Sequence, residues 1–146
     1  MSSARRVSAR SMVSAVLFLL CCFSPAFTQK APAKSSTPPK YDLQTESKAK
    51  GVVDEVNVLD FGSRKDFIQL ILKGESETIA VYICPKPFEE EMGITFAKGE
   101  QISFTGSKVK AEDSEIILAR EIVKGTDTWT FRDAKGSPVW DPRTGK

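Results

Sequence analysis

The sequence predicts an all-β domain, and three observations predict it. Residues 51–123 carry β-branched, partly alternating runs; glycine and proline punctuate those runs at short intervals; and a Pro-rich break follows the third run. The expected order is three strands, a short helical turn and two more strands within residues 41–135, closed by a C-terminal hairpin. That order is the one found in the OB-fold, a five-stranded, partly open Greek-key barrel. A small sandwich or an SH3-like barrel would alternate in the same way, so the topology rests on the position of the break at residues 85–93.

Each element has a local reason. Gly51 to Phe61 is β-branched, but the pairs Val52-Val53 and Val58-Leu59 break strict period two, as a long coiled strand with a bulge would. A turn at Gly62-Ser63-Arg64-Lys65 leads to the second strand, Asp66 to Lys73. Lys73-Gly74-Glu75-Ser76 then turns into the third, Glu77 to Ile83, where Ile79, Val81 and Ile83 share one face. Pro85-Lys86-Pro87 stops it, and Phe88 to Met92 makes a helical turn before Gly93. Lys98-Gly99-Glu100 introduces the fourth strand, Gln101 to Lys108, with Ile102 and Phe104 inward, and Ser114 to Val123 is the fifth. The last hairpin joins Thr128–Arg132 to Val139 and Trp140 through Asp133-Ala134-Lys135-Gly136.

The flanks read differently. Arg5, Arg6 and Arg10 precede an apolar run from Met12 to Phe23, and no acid occurs in residues 1–26, the layout of an export signal. The run is shorter than the roughly 20 residues a membrane span needs, so a cleaved signal is expected, after Ala26 or Thr28, and no stable span after cleavage. Leu20 before Cys21 is a poor fit to lipidation at the Cys21-Cys22 pair. Removing residues 1–26 lowers the bases from 21 to 18 against 19 acids, so the formal charge passes from +2 to −1. Cys84 then stands alone, and no internal disulfide can form. Residues 27–40, rich in Pro and Lys, read as an extended linker, residues 41–135 as the barrel domain and residues 136–146 as a tail.

The chain contains no histidine, which excludes Ser-His-Asp and Cys-His relays, His-ligated zinc and His pH switches. Glu89-Glu90-Glu91 could gather a hard cation, but successive helical positions diverge, and a solvated acidic face is the expectation. Asp54, Asp60, Asp66, Glu112, Asp113 and Glu115 offer carboxylates, but nothing in the spacing sets two of them face to face. Lys73-Gly74 and Gly106-Ser107-Lys108 are turn material, without phosphate-loop spacing. Cys84 reads first as a half-buried structural cysteine; as a redox residue it would need a pKa lowered by a neighbour such as Lys86. The rings Tyr82, Phe131, Trp129 and Trp140, with Arg120 and Arg132, are the candidate ligand-binding set, because OB-folds hold ligands on ring faces beside basic side chains. Most of these rings read as core; Trp129 and Trp140 are the ones expected to be partly exposed, although packing of the tail onto the barrel would explain them equally well. Arg64, Lys65, Lys108, Lys110, Arg120, Lys124, Arg132 and Lys135 could line a groove, but residues 41–135 hold 13 bases and 18 acids, a net of −5, which counts against phosphate-driven binding.

The succession Gly51-Val52-Val53, Phe67-Ile68-Gln69-Leu70, Ala80-Val81-Tyr82-Ile83, Lys98-Gly99-Glu100, Phe104-Thr105-Gly106-Ser107, Ala119-Arg120-Glu121-Ile122 and Phe131-Arg132-Asp133, with Gly136, Pro138 and Trp140, is similar to small exported bacterial proteins with an OB-like domain. The chain also resembles, more distantly, the bacterial periplasmic OB-fold proteins, which are associated with ligand binding and stress tolerance. Such relatives tend to carry Gly-Pro after the third strand, where this chain has Cys84-Pro85. The resemblance implies a fold and a compartment, and no agreed chemistry. The expectation is an exported, non-enzymatic binding module, periplasmic or secreted, for an envelope protein or a small ligand, with neither cofactor nor metal. The alternatives are single-stranded nucleic-acid or anionic-polymer binding on the barrel face, and a redox or metal role at Cys84.

Overall fold

The computed structural model describes residues 38–111 and 114–146. The expected export signal and most of the expected linker lie outside the described residues, as do Cys21, Cys22, Glu112 and Asp113. Six strands form: β1 (Glu46–Phe61), β2 (Arg64–Lys73), β3 (Thr78–Pro85), β4 (Gln101–Ala111), β5 (Ser114–Lys124) and β6 (Asp127–Thr130), with one helix, α1 (Lys86–Met92), between β3 and β4. The fold is all-β. The sheet runs β3-β2-β1-β4-β5-β6, and a parallel pairing of β3 with β5 at Val81/Ile117 and Tyr82/Leu118 closes the first five strands into a ring.

Closure depends on β1 serving two partners. Its first half, Glu46–Val52, pairs with β4, and from Val52 to Phe61 it pairs with β2. Gly51 sits at the changeover, where a Cβ would lie 3.0 Å from the Lys73 carbonyl oxygen and 3.1 Å from Leu72 Cβ, so a bare backbone lets the two strands approach. Register shifts fall between Val53 and Glu55 and between Leu59 and Phe61, next to the two apolar pairs that break period two. The strand begins at Glu46, five residues before the expected start at Gly51. Glu46–Lys50 has one apolar side chain, Ala49, so hydrophobic alternation cannot reveal a segment whose place comes from the β4 ladder.

Inside the ring, Val53, Leu70, Leu72, Val81, Ile83, Ile102, Ile122 and Phe131 are fully buried, each stabilising by roughly 1.5–3 kcal/mol for an aliphatic or Phe side chain taken from water. Helix α1 is flanked by Pro85 at its N-cap and by Gly93 at its C-cap, where Gly93 takes a left-handed conformation and donates its N–H to the carbonyls of Glu89 and Glu90. The helix places Phe88 against Phe131 and Trp140, with centroids 6.4 and 5.7 Å away.

The C-terminal hairpin differs from expectation. β6 pairs back onto β5, from Lys124/Asp127 to Glu121/Thr130, because the chain reverses at Gly125-Thr126 directly after β5. What remains of the expected pairing is one bridge, Arg132 to Pro138, and a hydrogen bond from Val139 N to Phe131 O of 3.1 Å. The Asp133 carboxylate accepts from the N–H groups of Lys135 and Ser137 at 2.8 and 2.9 Å, which winds residues 133–137 into a turn. Residues 136–146, read as a tail, pack onto the barrel: Trp140 is buried, and the Arg64 guanidinium donates to the carbonyls of Pro142, Arg143 and Thr144. Residues 131–146 therefore form a strap across one end of the ring. Among the described residues no helix is long and apolar enough to cross a membrane.

Candidate functional site

The strap and the barrel end enclose Arg132. Phe131 N and Arg132 N both donate to the carbonyl of Arg120, at 2.7 and 3.2 Å, which pins the start of the strap to β5. The Arg132 guanidinium lies between two rings, 5.7 Å from the Tyr41 centroid and 5.2 Å from that of Trp140, and Nη1 donates to the Gly136 carbonyl at 3.2 Å. Its exposure is 8%. Burial draws its pKa down to about 10, so it remains a cation at neutral pH, with the ring faces offsetting part of its desolvation. Gly136 permits the stack: its φ is +81°, and a Cβ there would overlap the Tyr41 ring.

Tyr41 links this cation to a second arginine. Its hydroxyl donates to Glu46 Oε2 at 2.5 Å, and Arg120 grips the same carboxylate with Nε and Nη2, both at 2.8 Å. The two donors hold the Glu46 carboxyl below its ordinary pKa, while burial and the neighbouring carboxylate raise the Tyr41 hydroxyl. A 3-10 turn, Leu43–Thr45, carries the chain between Tyr41 and Glu46, and Asp42 N is tied to Ser107 Oγ on β4 at 3.0 Å. The network Arg120–Glu46–Tyr41–Arg132–Trp140 thus crosses from β5 to the strap. Beside it is a cavity of about 400 Å³, lined by Tyr41, Phe61, Arg64, Phe67, Arg132 and Trp140 among others.

Of the residues predicted for binding, the structure brings Arg132 and Trp140 to this cavity and holds Arg120 one step behind. Trp140 is a correction: it was expected partly exposed, and it is 6% exposed because the strap folds its indole against Phe67 and Phe88. Phe131 is fully buried in the core and presents no face to a ligand. Trp129 is half-buried on β6 opposite Ile122, and Tyr82 is half-buried beside Phe61, 4.5 Å between centroids; neither lines the cavity. Arg64 and Lys135, two of the bases expected to line a groove, do line this cavity. Tyr41 and Glu46 were missed, because no pattern marks residues that precede the expected first strand.

Cys84 is fully buried at the end of β3. Burial, and then the Glu89 carboxylate, push its thiol pKa well up, whereas a reactive thiol needs access and a lowered pKa. Four of the eight basic side chains expected to line a groove are ion-paired: Arg64 with Asp66 at 3.6 Å, Arg120 with Glu46, Lys108 with Glu115 at 3.1 Å and Lys124 with Glu100 at 2.8 Å. No group of three His, Cys, Asp or Glu placed to hold a metal occurs among the described residues.

Comparison with known families adds one finding. The model of the MamS/MamX magnetosome protein family matches residues 45–129, from the turn before β1 into β6. The chain belongs to this family. The MamS/MamX match therefore covers the closed ring, while Tyr41, Arg132 and Trp140 lie outside it. Comparison with curated proteins returned no match.

Proposed function

We propose that this MamS/MamX family member is an exported, non-enzymatic binding module that works at the magnetosome, with the cavity under the strap as its ligand seat. The observation that carries the reading is the convergence of Arg132 and Trp140 on that cavity. Catalysis has little support: the buried thiol lacks an activating base, and the carboxylates near the strap are engaged in hydrogen bonds that hold structure. The family supports the magnetosome, and the basic, acid-free start of the chain supports export.

Single-strand binding gains no support from the same geometry. Phe131 and Trp140, named as stacking platforms, are buried, and four of the eight named bases are ion-paired. Cell fractionation tests the reading. The protein should accumulate with purified magnetosomes, and a version lacking residues 137–146 should be lost from them while a Lys50→Ser version stays. Equal distribution of the intact protein over all fractions would contradict it.

A further inference from the structure

We infer, building on the reading of this cavity as a ligand seat, that it takes a small organic carboxylate with an apolar body. The charge around it is one-sided. Lys40, Arg64, Arg132 and Lys135 line it and no acid does, on a domain whose residues 41–135 have a net charge of −5. The carboxylates of the strap are turned to other work: Asp133 caps backbone N–H groups of its own turn, and Asp141 accepts from Arg143 N at 2.8 Å. Asp66 stands 3.6 Å from Arg64 Nη2 on the barrel side.

Arg132 is the sharpest sign. It is more than nine-tenths buried, and its Nε has no hydrogen-bond partner. Arg64 Nε, buried in the wall of the same cavity, is also without one. Buried charges are normally paired, and this chain shows the pairing elsewhere: Arg120 uses Nε and Nη2 to hold both oxygens of Glu46. Arg132 has rings over its faces and a carbonyl at Nη1, but no anion. An anion entering the cavity would balance it in a setting where water screens weakly.

The rest of the wall sets the body of the ligand. Tyr41, Phe61, Phe67 and Trp140 present rings, and about 400 Å³ lies within the range of small-molecule sites, roughly 300–1,000 Å³. An inorganic ion would fill little of that space and leave the rings unused.

Calorimetric titration of the full chain with benzoate, benzamide and inorganic phosphate tests the inference. Benzoate should bind saturably, with benzamide and phosphate each at least about tenfold weaker, since one lacks the charge and the other the apolar body. Arg132→Met should weaken benzoate at least about tenfold, and Arg132→Lys should recover part of the loss; the ligand comparison on the unaltered chain stands even if a variant misfolds. Benzamide binding as tightly as benzoate would overturn the anion class and leave the ligand seat intact. Phosphate binding more tightly would overturn the apolar body, and no binding of benzoate would overturn the inference as a whole. Failure of the parent reading is seen separately, by loss of the protein from the magnetosome fraction.

Discussion

A second cavity, of about 730 Å³, lies where Lys48 and Lys50 of β1, Thr105 of β4 and Glu121 of β5 meet the turn between β2 and β3. It is larger than the cavity under the strap, yet it holds charges of both signs, two lysines and three glutamates, none of them buried. Lys50 faces Glu75 at 3.8 Å, both well exposed, and Glu77 and Glu121 share the wall with Lys48. Exposed pairs of this kind are worth about 0–1 kcal/mol and leave nothing for a ligand to complete. Under the strap, four bases and no acid line the wall, and one of them, Arg132, is buried with its Nε unpaired. The difference teaches that volume is a poor guide to a site here: what separates the two is whether buried charge is balanced within the chain.

Substitutions can break that contrast. Trp140→Ala should have the largest effect, because it empties a buried site touching Phe67, Phe88 and Arg132. A loss of about 3–5 kcal/mol in denaturant unfolding is expected, with benzoate binding abolished. Gly136→Ala should come next. It forces an L side chain at φ +81° and drives a Cβ into the Tyr41 ring, for a loss of about 1–3 kcal/mol. It would disturb the strap without deleting a contact, so it separates the shape of the seat from its components.

Acid should act through Glu46. Its folded pKa is depressed below the ordinary 4.5 by Tyr41 and Arg120, so its contribution is complete above that value and is lost as pH falls below it. Stability measured from pH 6 to 3 should fall in this range, and Glu46→Gln should flatten the fall while costing less than Gly136→Ala. Lys50→Ser, in the larger cavity, should be the smallest change, within about 0.5 kcal/mol in denaturant unfolding, with benzoate affinity unaltered.

The ring was legible because its strands carry their own marks. Ile79, Val81 and Ile83 alternate, Pro85 and Gly93 bracket α1, and Val52-Val53 and Val58-Leu59 point to bulges that the β1–β2 register contains. The site was legible only in part. Arg132 and Trp140 could be singled out as a cation and a ring among polar neighbours, but their burial depends on residues 136–146 folding back, and that rests on Arg64 reaching carbonyls some 78–80 residues away. Tyr41 and Glu46 act through contacts with Arg132 and Arg120, of which a periodic pattern carries no trace. The same limit hid the first half of β1, a polar segment placed by its partner strand.

The central claim, that the strap cavity and not the larger one is the ligand seat, is tested most directly by amide and indole NMR of the ¹⁵N-labelled protein titrated with benzoate. The Trp140 indole N–H and the amides of Tyr41, Arg132 and Gly136 should shift together and saturate, while Lys50, Thr105, Glu121 and the Trp129 indole stay in place. Shifts centred on Lys50, Thr105 and Glu121, with the Trp140 indole unmoved, would contradict the account.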